Sequence, residues 1–119
     1  MPVNEYGIYI RGIRKKLNIK LEDMALKLNV SKSFLSALEN GKKTIPQEYA
    51  DKVVDVLNLS SLERNKLKNS IDISNGKIQL EISNMTEERK EVALAFARKI
   101  NQANEKELSE LKKILINEG

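Results

Sequence analysis

From residue 6 to residue 69 the apolar positions recur every three or four residues, in short bursts broken by polar turns. That period is helical. Ile10, Ile13 and Leu17 share one stripe of a helix over 6–17, and Leu21, Met24, Ala25 and Leu28 share a stripe of a second over 20–28. Phe34, Leu35 and Leu38 predict an inward face for a third helix over 31–39, which Gly41 stops. Pro46 suits the first turn of a fourth over 46–57, with Ala50, Val53, Val54 and Leu57 inward. Ser60 or Ser61 is placed to cap a fifth reaching about Asn69, with Leu62 and Leu67 toward the core.

Beyond residue 70 the period changes. Ile71 and Ile73 alternate with polar residues, as do Ile78, Leu80 and Ile82, and Ser74-Asn75-Gly76-Lys77 lies between the two runs. Asn-Gly between alternating runs is a strong hairpin signal, so residues 70–84 are expected to form a β-hairpin or at least an extended arm. Helix returns over 85–119. Asn84 with Glu87, and Asn104 with Glu107, have capping-box spacing. Val92, Ala93, Phe96, Ala97 and Ile100 stripe the first of these helices, and Leu108, Leu111, Ile114 and Leu115 the second. An antiparallel pair is expected, docked on the first domain or on a second subunit, because two helices bury too little alone.

The predicted architecture is therefore mainly α: a helical domain over 1–69, an arm over 70–84, and a helix pair over 85–119 for dimerisation or partner binding. With 119 residues the chain supports one compact domain, or a small domain with an appendage. It has no Cys and no His, which removes thiolate and imidazole metal sites, disulfides, and Cys or His catalysis. Glu87, Glu88 and Glu91 cluster at a helix start, where the macrodipole favours acids. No nucleophile, base and orienter come together, so no enzyme is expected, and no cofactor or metal is implied. No apolar run approaches the ~20 residues of a membrane span, and the opening Met-Pro-Val-Asn-Glu-Tyr lacks the features of a signal peptide. A soluble, cytoplasmic protein is expected.

Charge sharpens the picture. Residues 1–69 hold 13 Lys and Arg against 8 Asp and Glu, whereas residues 70–119 hold 8 against 9. The basic excess sits on the first helical domain, which suits a polyanion. Within it, residues 20–43 lay out two short helices with a turn between them. The second helix is polar at its start and followed at once by Lys42 and Lys43. This is the layout of a helix-turn-helix, in which the second helix enters the major groove of DNA. In the turn Leu28-Asn29-Val30-Ser31, Asn29 suits a left-handed residue, Val30 is expected to be buried between the helices, and Ser31 to cap the second.

The segment Leu28-Asn29-Val30-Ser31-Lys32-Ser33-Phe34-Leu35-Ser36-Ala37-Leu38-Glu39-Asn40-Gly41-Lys42 resembles the Xre/Cro/C1-type helix-turn-helix of phage repressors. The resemblance covers about residues 6–69 and implies a five-helix, lambda-repressor-like domain. It implies that Lys32, Ser33, Ser36 and Ala37 meet base edges: Lys is able to donate to guanine, Ser is permissive, and Ala37 is limited to a thymine methyl. It places Ser31, Asn40, Lys42 and Lys43 near phosphates. Many relatives begin the second helix with a phosphate-binding Gln; Leu21 stands there, which leaves Lys20 or the helix N-terminus as substitutes. Phe34 is expected to be partly exposed at the same face. The resemblance also pairs Arg14 with Glu39 as a structural bridge, while Arg11, Lys15 and Lys16 read as a solvated basic face.

The implied function is that of a sequence-specific regulator of transcription binding double-stranded DNA, a repressor acting as a homodimer on a palindromic operator. A second expectation is an antitoxin or mobile-element regulator whose C-terminal region binds a toxin or antirepressor protein. In either case Val92, Phe96 and Ile100 form the candidate partner or dimer surface.

Overall fold

The computed structural model describes residues 2–116 and contains, among them, seven helices and no strand. They are α1 (Glu5–Leu17), α2 (Leu21–Leu28), α3 (Lys32–Glu39), α4 (Glu48–Leu57), α5 (Ser61–Asn75), α6 (Glu87–Lys99) and α7 (Glu105–Ile116). The chain divides into two compact units, Met1–Ile78 and Gln79–Gly119.

Local chemistry sets the helix ends in the first unit. Asn4 caps α1 by accepting from the Gly7 N–H, Ser31 caps α3 by accepting from Phe34, and Ser60 exchanges reciprocal bonds with Glu63 at the start of α5. Three helices end on asparagines in the left-handed region, Asn18, Asn29 and Asn58, with φ of 58°, 57° and 55°. A short polar side chain tolerates that conformation better than other non-glycine residues. Short helices with firm ends can then turn sharply and enclose one core.

That core is formed by Tyr6, Ile10, Ile13, Met24, Ala25, Leu28, Leu35, Leu38, Ile45, Tyr49, Ala50, Val53, Leu57, Leu67 and Ile71, all buried. Most of the predicted stripes are here. Leu17 and Leu62 are not: both are exposed, and the registers of α1 and α5 turn them to the surface. Helix α1 packs most extensively against α5 and also against α3, so it lies between the two.

The expected hairpin is absent. Helix α5 runs on through Ile71 and Ile73 to Asn75, and Gly76, at φ 69°, is its left-handed C-cap rather than a hairpin turn. Leu67, Ser70, Ile71 and Ser74 form the inward face, at helical spacing. Ser70 Oγ donates back to the Leu67 carbonyl at 2.7 Å, and Ser74 Oγ accepts from the Tyr6 N–H at 2.9 Å. Two inward-facing serines, Ser70 buried and Ser74 half-buried, with Ile73 turned out to the surface, thus disguised a helical period as an alternating one. The first unit accordingly extends to Ile78 rather than stopping near residue 69. Residues 77–82 carry no regular secondary structure. Pro46 precedes α4 rather than opening it.

Two polar systems lie inside this unit. Glu39, 1% exposed, accepts from Arg14 Nη1 at 2.6 Å and Nη2 at 3.1 Å, and from Arg11 Nε at 3.1 Å. Arg14 itself is buried and also contacts Met24 Sδ at 3.5 Å. Beside it, Tyr6 donates to the Tyr49 hydroxyl at 3.2 Å, with the rings edge to face at 6.1 Å. Burial pushes the Tyr6 hydroxyl far above its ordinary range and the Tyr49 hydroxyl up to about 12. No buried side-chain nitrogen or oxygen among the described residues lacks a hydrogen-bond partner.

The second unit contrasts with the first. Neither α6 nor α7 buries any residue. Thr86 caps α6 by accepting from Arg89, displacing the expected Asn84 box, while Asn104 and Glu107 exchange the reciprocal bonds of a capping box at α7. Val92, Ala95, Phe96 and Ile100 line one groove together with Leu111, Ile114 and Leu115. No helix among the described residues is long and apolar enough to cross a membrane.

Two tests follow from the buried polar groups. Glu39→Gln leaves Arg14 charged and unpaired in a dry site, so urea unfolding should show a loss of about 3–5 kcal/mol. The double variant Arg14→Met with Glu39→Leu should recover much of that loss, because it removes both charges together. In an absorbance titration, Tyr6 and Tyr49 should stay protonated well above pH 10 in the native protein. The unfolded chain ionises near pH ~10, so their contribution is complete below that pH and fades as pH rises toward the folded values.

Candidate nucleic-acid interface

The helix-turn-helix core is built from α2, the turn Asn29–Ser31 and α3. Met24, Ala25 and Leu28 of α2 face Leu35 and Leu38 of α3 across the buried seam, with Val30 half-buried against it. Asn29 turns the chain, and its N–H bonds back to the Leu26 carbonyl at 3.2 Å. The Val30 N–H reaches the Ala25 carbonyl at 3.0 Å, so α2 ends in a closed, hydrogen-bonded turn. This fixes the angle at which α3 leaves.

The two faces of α3 differ in chemistry. Leu35, Leu38 and Glu39 are buried, whereas Ser31, Lys32 and Ser33 at its N-terminal end are exposed. Phe34, Ser36 and Ala37 are half-buried at the border. The exposed end presents helix N–H groups and a cation, a suitable surface for anions. Lys20 is exposed at the start of α2, and its N–H donates to Asp23 at 2.9 Å. Lys42 and Lys43 are exposed in the loop after α3.

Two of the sequence-predicted groups are already engaged. Lys32 Nζ lies 3.0 Å from Glu22 Oε1, across the starts of α3 and α2. The ammonium beside it, by hydrogen bond and charge, holds the Glu22 carboxyl below its usual range. Asn40 donates from Nδ2 to the Ser36 carbonyl at 2.9 Å and to Ser36 Oγ at 3.2 Å. Its amide thus orients the Ser36 hydroxyl and leaves that hydroxyl's own proton free to donate outward.

The other end of α3 is held from behind. Asn4 N–H donates to the Glu39 carbonyl at 3.0 Å, and Asn4 Nδ2 to the Leu38 carbonyl at 2.9 Å. One asparagine therefore caps the start of α1 and the end of α3 at once. The approach is so close that a Cβ on Gly7 would collide with the Glu39 carbonyl and the Val3 side chain. Below the carbonyls, the Glu39 carboxylate is gripped by Arg14 and Arg11. Sequence reasoning placed Arg11 on a solvated face; its side chain is half-exposed, but its guanidinium reaches the carboxylate. Lys16 likewise pairs with Glu63 at 3.1 Å rather than standing free.

The basic loop has an anchor that sequence reasoning missed. Asn75 accepts from the Ile45 N–H at 2.9 Å and donates to the Ile45 carbonyl at 2.8 Å. Gln47 Nε2 adds a bond to Asp72 at 2.9 Å. The loop carrying Lys42 and Lys43 is therefore tied to the end of α5. The signal for this was Asn75-Gly76 itself, which reads equally as the last residue and cap of a helix.

Comparison with known families agrees with this geometry: the family model described as helix-turn-helix matches residues 10–64. No curated protein and no solved structure matches the chain at a significant level.

Asn75→Ala should strip both bonds from Ile45 and leave a part-buried N–H and C=O unpaired. Hydrogen exchange should show faster exchange at the Ile45 amide, with a stability loss of about 1–3 kcal/mol. Asn75→Asp should keep the Ile45 N–H protected, since the carboxylate still accepts.

Proposed function

Residues 10–64 form a helix-turn-helix domain of the Xre/Cro/C1 type, the domain of DNA-binding regulators, and from that premise we propose that this protein is a sequence-specific repressor of transcription. The observation that carries the reading is the polarity of α3. Its C-terminal end is clamped by Asn4 and two arginines, while its N-terminal turn is exposed and polar and carries Lys32. A helix fixed at the back and open at the front suits insertion of the front into a major groove.

In this reading Lys32 donates to guanine acceptors, the hydroxyls of Ser33 and Ser36 reach neighbouring base edges, and Ala37 meets a thymine methyl. Ser31, Lys20, Lys42 and Lys43 hold the phosphates that fix the register. Asn40 acts chiefly by orienting Ser36. The mechanism is occlusion of a promoter.

One such domain reads too few base pairs for strong selectivity, so the protein acts as a homodimer on two half-sites about 34 Å apart. The supporting observation is the second unit, whose Val92, Leu94, Phe96, Leu108, Ile114 and Leu115 are all exposed. Apolar faces of this extent call for a partner, and a second copy is the reading we adopt. The same groove also supports the alternative of an antitoxin or mobile-element regulator that binds a toxin or antirepressor there.

Footprinting of the DNA upstream of the protein's own gene should show a palindromic site with two half-sites one helical turn apart. Lys32→Ala should lower affinity for that site by about tenfold and affinity for random duplex far less. Lys42→Ala or Lys43→Ala should weaken both alike and reduce the slope of log K against log salt by about one. Phe96→Asp should convert a dimer to a monomer in sedimentation analysis. A wild-type chain that is monomeric alone, and dimeric only with the product of a neighbouring gene, would favour the alternative.

A further inference from the structure

The Lys32–Glu22 ion pair is out of place on an ordinary phosphate-binding surface. A carboxylate at the tip of a cationic helix repels the polyanion that the helix is built to meet. Exposed pairs of this kind add little stability, so the fold gives small reason to keep it. Both side chains stand at helix starts, Glu22 as the second residue of α2 and Lys32 as the first of α3, and both are more than half exposed.

A base-pair edge in the major groove, where an acceptor stands beside an amino donor, is the partner that fits both groups together. Guanine shows two acceptors, O6 and N7, and the paired cytosine shows the N4 amino donor beside them. An ammonium and a carboxylate 3.0 Å apart present the complementary order, donor then acceptor. Adenine shows the same order on a single base, the N7 acceptor beside the N6 amino donor. A bare phosphate is worse: it offers Glu22 no donor and sets negative charge against its carboxylate.

We infer that Glu22 is a specificity-determining residue that reads one base pair jointly with Lys32, Lys32 on an acceptor and Glu22 on the amino donor beside it, and penalises every other use of that lysine. This rests on the reading of α3 as a major-groove helix. Selectivity then arises as much from what Glu22 rejects as from what Lys32 accepts. Sequence reasoning assigned Glu22 no role, because an acid in the first turn of a helix is ordinary. Only the packing of α2 against α3 brings it to the lysine.

The test is selection from a pool of random 20-base-pair duplexes by the full-length wild type, Glu22→Gln and Lys32→Ala, each first checked for helicity by circular dichroism. The wild type should enrich a site in which each half carries one fixed base pair that depends on both Lys32 and Glu22. Both variants should lose that preference by about tenfold while the remaining positions of the site persist. Glu22→Gln should also bind the unselected pool several-fold more tightly, whereas Lys32→Ala should bind it no better. An unchanged consensus for Glu22→Gln would overturn the inference while leaving the regulator reading intact. A wild type that enriches no sequence and retains no duplex in dilute salt would instead overturn the regulator reading itself.

Discussion

The buried carboxylate of Glu39 is the constraint around which the first unit is arranged. It sits at the end of α3, almost without solvent contact, and two arginines from α1 satisfy it. A charge so placed tolerates one geometry only, because any shift that lengthens its bonds exposes a desolvated ion to an apolar wall. Directly above it, the last carbonyls of α3 are satisfied by Asn4, which at the same time starts α1. Gly7 permits the backbones to come that close. Helix α3 is thus fixed by ionic, hydrogen-bonded and steric contacts at one end, and those contacts leave its other end free for chemistry.

The candidate interface inherits its order from this anchoring. The N-terminal turn of α3 stands clear, capped by Ser31, and the loop behind it is held by the two bonds between Asn75 and Ile45. Rigidity on both sides of the exposed turn lowers the entropy lost when a partner is met. The surface is not simply basic. Glu22 beside Lys32 gives it a pattern of alternating sign, and pattern rather than net charge is what distinguishes one base edge from another.

The second unit obeys a different economy. Its helices are capped as well as those of the first, yet they bury nothing, and their apolar residues line an open groove. Secondary structure there is set by local bonds, without the buried face that stabilises helices of the first unit. The charge balance agrees with the division of labour: the basic excess lies in the first unit, and the remainder of the chain is nearly neutral.

The five helices of the first unit, most of their buried faces, the Asn29 turn, the Ser31 cap and the Arg14 and Glu39 positions are legible in the sequence by itself. Each rests on helical period, on a residue with one conformational specialty, or on a motif dense enough to name a family. The extension of α5 to Asn75 is not legible, because Ser70 and Ser74 look polar in a string and become inward-facing only when the Leu67 carbonyl and the Tyr6 N–H are there to meet them. The roles of Arg11, Asn4, Asn75 and Glu22 are hidden for the same reason. Each depends on a group 10 to 34 positions away in the chain. Local propensity acts over a few residues, whereas a polar side chain takes its role from the partner that tertiary packing sets opposite it.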